Sequence, residues 1–278
     1  AASDSKKGPY HMSASISKSG SALPTLMVAP NGARLTGDDH PALPVTIPEI
    51  VATAKSCAVA GAGAIHFHVR DANRAHILDA GLYREALDEL RREVPMMHHQ
   101  ITTETVGRYA PADMRRVTIA SQPEGVSIGV VEMMPSGAPA PEDAKFYAWL
   151  AEAGIAVQHI CYLPEHLGLL GRMLEYASLP KTNVWCLFVI GHYSGAMSHP
   201  DMIAPFKSAM DAAGITGDWA VCAFREEESA CIASAVAMGG KLRVGFENSS
   251  FMADGTIAPD NAARVAEAAT LLGLGHDS

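Results

Sequence analysis

The chain has 278 residues, 48% of them apolar and 18% charged, which suits one large domain or two small ones with a substantial core. Its formal net charge of -9 is spread along the chain, and the lack of clustered Lys and Arg argues against a nucleic-acid partner. No apolar run approaches the roughly 20 residues of a membrane-spanning helix. The five cysteines show no paired spacing such as CxxC, which favours a reduced, cytoplasmic protein.

The first eleven residues, AASDSKKGPYH, are polar and aperiodic, and we interpret them as an expression-tag remnant. From Leu26 onward, short β-like runs alternate with longer helical stretches. The predicted strands are Thr25–Ala29, Ala64–Val69, His98–Thr103, Gly125–Ile128, Val157–Cys161, Val184–Ile190, Trp219–Ala223 and Leu242–Phe246. The predicted helices are Pro48–Ala60, Tyr83–Glu93, Pro111–Ala120, Pro141–Ala153, Glu165–Tyr176, Pro200–Ala213, Glu226–Met238 and Pro259–Leu272. The first helix carries a start signal, with Thr46 as N-cap, Pro48 in the first turn and Glu49 three residues after the cap.

Eight strands, each followed by a helix at about 30 residues per unit, are typical of a closed parallel barrel. The main alternative, an open doubly wound sheet, would normally carry G-x-G-x-x-G after its first strand. Here the first strand runs into Pro30-Asn31-Gly32-Ala33, which lacks that spacing. We therefore predict an α/β fold, a (β/α)8 TIM barrel that forms a single domain over residues 12–278.

A His-x-His pair ends the second predicted strand, in the segment AIHFHVRD. Because side chains alternate along a strand, His66 and His68 share one face, and Phe67 and Val69 share the other. The histidines would point into the barrel near its C-terminal rim, where barrel enzymes keep their active sites. Two inward imidazoles are costly to bury unless their nitrogens are satisfied, and a divalent metal such as zinc can satisfy them. The alternative is that both are hydrogen-bonded barrel residues without a metal.

The last predicted strand supplies a candidate third ligand, Glu247, on the same face as Arg243. In a closed barrel the eighth strand neighbours the first, which neighbours the second, so Glu247 could reach His66 and His68. Two histidines and one carboxylate leave positions open for substrate, as catalytic zinc sites require. Alternatively, Glu247 forms an ion pair with Arg243 or Arg225.

Further polar residues end other predicted strands on the same rim. They are Asn31 after the first strand, Thr102 and Glu104 at the third, Ser127 at the fourth and His192 after the sixth. His192 could bind metal or substrate, or could belong only to its loop. His98 and His99 begin the third strand at the far end of the barrel, where we expect packing or solvent contact. The sequence has no G-x-S-x-G motif and no cysteine beside a convincing base, so a covalent hydrolase is poorly supported.

Four segments together resemble the β-keto acid cleavage enzyme family. They are DHPALPVT from Asp39 to Thr46, AGA from Ala60 to Ala62, HFHVRD from His66 to Asp71, and MGGKLRVGFE from Met238 to Glu247. The resemblance extends from about Ala29 to Leu272 and implies a TIM barrel that holds one zinc ion with His66, His68 and Glu247. The implied reaction is a Claisen-type exchange in which a β-keto acid and the co-substrate acetyl-CoA give acetoacetate and a new acyl-CoA.

The resemblance also implies roles for other residues. Arg243 would belong to the catalytic machinery, Thr102 and Ser127 would help to hold the substrate, and the protein would be a homo-oligomer. The chain departs from the family pattern where an aspartate base is expected, because that position is Asn248, which cannot accept a proton at ordinary pH. Gln158 stands near an expected glutamate, and Asn31 near an expected acidic residue.

Three functions remain open. In the first, the chain is a zinc-dependent β-keto acid cleavage enzyme in which Glu104 or His192 replaces the missing base. In the second, it is a zinc lyase or hydrolase that acts on a small keto or hydroxy acid without CoA. In the third, it is a non-catalytic relative that only binds a ligand. The loss of carboxylates would favour a more negatively charged substrate, because it reduces repulsion.

Overall fold

Eight parallel strands pair in chain order and close into a barrel, because the first strand pairs with both the second and the eighth. The computed structural model describes residues 22–192, 194–195 and 197–274, so the interpretation of residues 1–11 lies outside the described residues. The strands are β1 (Leu26–Val28), β2 (Ala64–Phe67), β3 (His98–Ile101), β4 (Gly125–Gly129), β5 (Ala156–Cys161), β6 (Trp185–Ile190), β7 (Trp219–Ala223) and β8 (Lys241–Val244). The predicted TIM barrel is confirmed, and the open doubly wound sheet is wrong.

The helices follow the strands and surround the barrel. They are α1 (Ile47–Val59), α2 (Ala80–Glu93), α3 (Pro111–Ser121), α4 (Val130–Met133), α5 (Pro141–Glu152), α6 (Glu165–Tyr176), α7 (Ile203–Ala212), α8 (Glu228–Ala237) and α9 (Asn261–Leu271). The predicted start of α1 is confirmed: Thr46 Oγ1 accepts from the Glu49 N–H, and the Glu49 carboxylate accepts from the Thr46 N–H at 2.9 Å. Within the described residues, every helix is too short or too polar to cross a membrane.

Some element ends differ from the expectation. β2 ends at Phe67 rather than Val69, and β8 ends at Val244 rather than Phe246. At Gly245 the backbone has φ +137°, and a Cβ there would collide with the Ala29 carbonyl oxygen, so the chain leaves the sheet at this glycine. Glu247 therefore lies in the turn after β8 rather than on the strand.

Two helices also differ from the prediction. The short α4 was not expected, because the apolar residues Val130 and Val131 continue the strand-like pattern of β4. The helix predicted from Pro200 begins as a 3-10 turn over Pro200–Met202, and α7 follows from Ile203. Likewise, a 3-10 turn over Arg225–Glu227 precedes α8.

Alternation along the strands divides the side chains between two cores. Outward side chains such as Ile65 and Phe67 pack against the helices, and the Phe67 ring centroid lies 5.8 Å from that of Tyr83. Inward apolar side chains fill the barrel; they are Leu23, Met27, Ala64, Ile160, Trp185, Leu187, Val189, Ala220, Cys222 and Phe224. Buried polar residues share the inward positions of the strands; they are His66, Gln100, Ser127, Gln158 and Arg243. All five cysteines are free and buried.

Candidate metal centre and active site

His66 lies on β2 and His68 just beyond it, and both residues are buried inside the barrel, as strand alternation predicts. Their Nε2 atoms are 3.2 Å apart. The side chain of Asn31 fixes the His68 backbone: its Oδ1 accepts from the His68 N–H at 3.2 Å, and its Nδ2 donates to the His68 carbonyl at 2.9 Å. Nδ2 also donates to the Pro44 carbonyl at 3.1 Å. Asn31 thus uses its amide to hold the protein backbone.

Hydrogen bonds to the far ring nitrogens define the tautomers of both histidines. His66 Nδ1 donates to the Gln100 amide oxygen at 2.9 Å. His76 Nε2 donates to the Glu104 backbone carbonyl at 2.9 Å, so its Nδ1 is free to accept from His68 Nδ1 at 3.3 Å. The Nε2 atoms of His66 and His68 therefore carry bare lone pairs that face each other.

Glu247 completes the group. Its Oε1 accepts from Arg243 Nη2 at 2.7 Å, and its Oε2 lies 3.6 Å from the Nε2 atom of each histidine. Oε2 is buried and has no hydrogen-bond partner among the described residues. One oxygen of Glu247 thus pairs with Arg243, and the other faces the histidines; the alternative pairing with Arg225 does not occur among the described residues.

The three facing atoms fit a divalent metal. Their separations of 3.2, 3.6 and 3.6 Å are close to the roughly 3.3 Å expected between ligand atoms bound at about 2.0–2.1 Å in a tetrahedron. Two lone pairs and a carboxylate oxygen repel one another at this distance, and a cation between them would replace repulsion with attraction. Among the described residues, this is the group of His, Cys, Asp and Glu side chains that could hold a metal ion.

The local electrostatics favour the protonation states that bind a metal. Burial lowers the pKa of His66 well below its ordinary value, and the nearby Arg243 lowers it further. Burial alone would raise the pKa of Glu247, but the positive charge of Arg243 outweighs this effect and holds that pKa well below its usual range. A neutral imidazole and an ionised carboxylate are the forms in which these side chains ligate metals.

A cavity borders this group at the C-terminal ends of the strands. It is lined by His66, Thr102, Glu104, Ile160, Tyr162, Val189, Cys222, Phe224, Arg243, Glu247 and Asn248. The structure thus brings together most of the predicted site residues. Glu104 Oε1 is paired with Arg34 Nη1 at 2.7 Å. Asn248 Oδ1 is buried without a hydrogen-bond partner among the described residues, so it can accept one from a bound ligand.

Three predicted substrate-binding residues, Asn31, Ser127 and His192, lie outside the cavity lining. Ser127 is inside the barrel, and its buried Oγ has no hydrogen-bond partner among the described residues. His192 is exposed in the loop after β6, where its Nδ1 lies 2.8 Å from Ser194 Oγ. At the far end of the barrel, His98 packs against Trp185, with ring centroids 5.5 Å apart, as expected of a packing residue.

Several contributors were not anticipated from the sequence. Tyr162 lies two residues beyond the inward-facing Ile160, so strand alternation carried a signal for it. Gln100 lies opposite His66 in the register of β2 and β3, which alternation also indicates. His76 carried no such signal, because it lies in the loop between β2 and α2 and reaches His68 only through the fold of that loop.

The fold and the site define the class of the protein: a (β/α)8 barrel with a buried His-His-Glu group, suited to a metal ion, at its C-terminal mouth. A comparison with protein families then identifies the chain. Residues 25–275 match the model of the beta-keto acid cleavage enzyme family, and the chain belongs to this family.

Characterised relatives are distant but cover most of the chain. The 3-keto-5-aminohexanoate cleavage enzyme of Fusobacterium nucleatum is 26% identical over 236 residues, which cover 83% of this chain and 84% of the relative. The 3,5-dioxohexanoate:acetyl-CoA acetone transferase of Paraburkholderia graminis is 26% identical over 267 residues, covering 85% and 86%. The 3-oxoadipate:acetyl-CoA acetyltransferase of Cupriavidus necator is 22% identical over 254 residues, covering 88% and 87%.

Solved structures support the same fold. ObcA, in a ternary complex with a C4-CoA adduct and oxalate, superimposes with a TM-score of 0.67 at 14% sequence identity. The match covers 84% of this chain but only 64% of ObcA, so ObcA is considerably longer. At this identity the likeness concerns the fold alone.

Proposed function

We propose that the protein is a zinc-dependent β-keto acid cleavage enzyme, which converts a β-keto acid and acetyl-CoA into acetoacetate and a new acyl-CoA. The observation that carries the proposal is the His66, His68 and Glu247 group beside a cavity in a chain of this family. Two imidazoles and one carboxylate suit zinc and leave a fourth position for substrate. Relatives named as an acetyl-CoA acetone transferase and an acetyl-CoA acetyltransferase support acetyl-CoA as the second substrate.

Bound zinc would supply a Lewis acid for the carbonyl of the keto acid and for the negative charge that develops on it. The residues of the chain position and bind the substrate. Arg243 orients Glu247 and brings a positive charge to the cavity, where the carboxylate of a keto acid can bind. Thr102 Oγ1 accepts from the Glu104 N–H at 3.0 Å, which leaves its hydroxyl proton for the substrate.

We assign the base to Glu104. A Claisen-type exchange needs a group that removes a proton from the carbon between the two carbonyl groups of the keto acid. Asn248 cannot take this proton, and His192 is exposed outside the cavity lining. Glu104 lines the cavity, and Arg34 anchors its carboxylate through Oε1, so Oε2 can accept the proton.

The substrate that fits this site best carries an extra negative charge. Asn248 stands where the resemblance implies an aspartate, and Gln158 and Asn31 stand near further expected acidic positions. All three are neutral and buried. With those carboxylates absent, a second carboxylate on the keto acid meets less repulsion. The relative named for 3-oxoadipate provides a precedent for a dicarboxylic keto acid.

A steady-state assay tests the proposed function. Zinc-loaded protein is incubated with acetyl-CoA and a panel of β-keto acids that includes dicarboxylic members, and the acyl-CoA products are quantified. We expect product formation by protein with stoichiometric zinc. His66→Ala should lose both zinc and activity, because it removes one of three ligands. His159→Phe, which changes a buried histidine outside the site, should keep both.

Each alternative has its own signature in this assay. The proposal is wrong if zinc is bound and no keto acid yields a CoA ester. Cleavage of a keto or hydroxy acid in the absence of CoA would identify a zinc lyase or hydrolase, and tight ligand binding without turnover would identify a non-catalytic relative. Activity that appears only in Asn248→Asp would also favour these alternatives.

A further inference from the structure

Arg70 belongs to the HFHVRD segment, and the proposed reaction gives it no role. It lies in the loop between β2 and α2, two residues after His68, and only 8% of it is exposed to solvent. Among the described residues, no carboxylate forms an ion pair with it. A buried guanidinium without a counter-ion is costly, so its presence requires an explanation in the contacts that it makes.

The guanidinium of Arg70 binds backbone carbonyls in two loops. Nη1 donates to the Arg74 carbonyl at 2.9 Å, within its own loop. Nη2 donates to the carbonyls of Gly32 and Leu35, the latter at 2.9 Å, and lies 3.4 Å from that of Asn31. These three residues belong to the loop between β1 and α1. A planar fork of fixed donors can join two loops in this way, whereas the single ammonium group of a lysine cannot.

The loop after β1 lies between the two sources of candidate metal ligands. In the barrel, β1 stands between β2, which leads to His66 and His68, and β8, which leads to Glu247. The separation of 3.6 Å between the Nε2 atom of each histidine and Oε2 of Glu247 therefore depends on where this loop lies. Arg70 fixes the loop from the side of β2.

Two residues of this loop touch the candidate ligands directly. The Asn31 side chain binds both the N–H and the carbonyl of His68. Gly32 packs so closely against Glu247 that a Cβ at residue 32 would lie 2.7 Å from Glu247 Cγ. Arg70 contacts the backbone of both residues, so a shift of its guanidinium would move the supports of a histidine and of the carboxylate together.

The same loop is also tied to the other side of the site. Asn261 of α9 donates from Nδ2 to the Pro30 carbonyl at 3.1 Å, and its Oδ1 accepts from the Phe246 N–H at 2.9 Å. Asn261 thus links the loop to the turn after β8, and Arg70 links it to the loop after β2. The segments that carry the ligands and their supports form one connected unit.

We propose that Arg70 is a positioning residue of the candidate metal centre. Its guanidinium holds the loop after β1 in the place where Asn31 fixes His68 and Gly32 limits the position of Glu247. The three ligand atoms are thereby held at distances that suit a metal before it binds, which lowers the cost of ordering them on binding. This role rests on the proposed function, of which the metal is a part.

Zinc affinity, measured by competition with a chromophoric chelator, tests this role. Arg70→Met removes the guanidinium but keeps a long side chain, and Arg70→Lys keeps the positive charge without the fork. We expect zinc affinity to fall about 10–100-fold in Arg70→Met and roughly fivefold or more in Arg70→Lys. Arg84→Met is the control: Arg84 also donates to a backbone carbonyl, that of Ala120 at 2.8 Å, but joins α2 to α3, and its loss should leave zinc affinity at the wild-type value.

A spectroscopic measurement distinguishes displaced ligands from a loss of folded protein. Cobalt(II) can take the place of zinc, and its visible absorption reports the number and geometry of its ligands. The cobalt form of Arg70→Met should show altered absorption, whereas that of Arg84→Met should match wild type. The thermal midpoint of each metal-free variant verifies that it is folded at the temperature of the assay, and Arg70→Lys decides the result if Arg70→Met is not.

Double variants test the route through the loop. Asn31→Ala and Arg70→Met both act on His68 through the loop after β1, so the double variant should lose little more zinc affinity than the weaker of the two single variants. Gln100→Leu acts on His66 from β3, so its effect on zinc affinity should multiply with that of Arg70→Met.

The outcomes are distinct. Wild-type zinc affinity in Arg70→Lys would overturn the inference, because the charge alone would then suffice, and would leave the proposed function in place. Multiplied losses in the Asn31→Ala and Arg70→Met double variant would also overturn it, since the arginine would then act by another route. Absence of zinc binding by the wild-type protein would overturn the proposed function and this inference together.

Discussion

Each histidine of the candidate metal centre presents Nε2 to the site and uses Nδ1 to bind the protein. Gln100 accepts the Nδ1 proton of His66, and His76 accepts that of His68. These partners hold each ring in the tautomer that presents Nε2, and they resist rotation of the ring. The residues that would prepare a metal site therefore extend beyond the three candidate ligands.

Gln100→Leu isolates this effect. The variant keeps the three ligands but removes the acceptor of the His66 Nδ1 proton, and we expect zinc affinity to fall about 10–100-fold. Competition with a chromophoric chelator measures it. Gln158→Leu is the matched control, since Gln158 is equally buried and its amide has no hydrogen-bond partner among the described residues. Similar losses in both variants would show that a disturbed barrel interior, and not the Gln100 hydrogen bond, sets the affinity.

At the residue scale, the predictable part of the site is the part governed by strand alternation. His66 and His68 could be placed inward because the rule needs only neighbouring residues. Asn31 was placed correctly on the rim, but its amide binds the backbone of His68 and Pro44. Hydrogen bonds between distant segments follow from the folded loop conformation, which local sequence patterns do not encode.

The turn after β8 is the element that brings Glu247 to the two histidines of the candidate metal centre. Gly245 leaves the strand at positive φ, and the Glu247 N–H then donates to the Ala29 carbonyl at 3.1 Å, which ties the turn to the end of β1. Gly32 faces this turn, and a Cβ there would lie 2.7 Å from Glu247 Cγ. The position of the third ligand thus depends on two glycines.

Gly245→Ala should be costly for this reason. The alanine Cβ would meet the Ala29 carbonyl oxygen, a backbone atom that cannot move without disturbing β1, and the backbone conformation is itself unfavourable for alanine. We expect a loss of about 3 kcal/mol in the free energy of unfolding, together with weaker zinc binding. Urea unfolding and zinc titration measure the two effects.

Gly255→Ala provides the comparison. Gly255 also has positive φ, +82°, but a Cβ there meets nothing within 4 Å. This variant should lose only about 1 kcal/mol, and its zinc affinity should be that of wild type. If the two variants lost equal stability, the contact with Ala29 would have no special role.

At the element scale, the sequence predicted the order and type of the elements better than their ends. The prediction of a barrel rested on eight repeats of one strand-helix pattern, so an error in the bounds of one repeat did not change the predicted fold. The last strand was extended to Phe246 because apolar alternation continues there, although Gly245 takes the chain out of the sheet. Similarly, α4 and its Glu132 were missed, because one short turn carries no helical period.

The stability of the whole molecule depends on pH through histidines that are buried in their neutral form. His159 is the clearest case outside the site. It stacks on Tyr147, and its Nδ1 donates to the Trp185 carbonyl at 3.0 Å. Burial lowers its pKa from 6.5 to about 4, against the effect of that hydrogen bond. The unfolded chain therefore binds a proton near pH 6.5 that the folded protein binds only near pH 4.

Stability should accordingly fall as the pH drops from about 6.5 toward 4, by about 3 kcal/mol from this residue. His159→Phe keeps an aromatic ring but cannot titrate, so the difference in unfolding free energy between pH 7 and pH 4.5 should be smaller by about 2–3 kcal/mol. Urea unfolding of both proteins with EDTA removes any effect of bound metal. If wild type and His159→Phe lost the same unfolding free energy between pH 7 and pH 4.5, the assignment of this pH dependence to His159 would be wrong.

Closure of the barrel by β8 against β1 also has a consequence for biosynthesis. Two candidate ligands lie on β2 and just beyond it, near the start of the chain, and the third follows the last strand, so more than half of the polypeptide separates them. During translation, a nascent chain that has not yet released residue 247 from the ribosome offers the histidines without their carboxylate. Metal binding by the complete site would thus indicate that β8 has paired with β1. A prematurely terminated chain would not retain the ion.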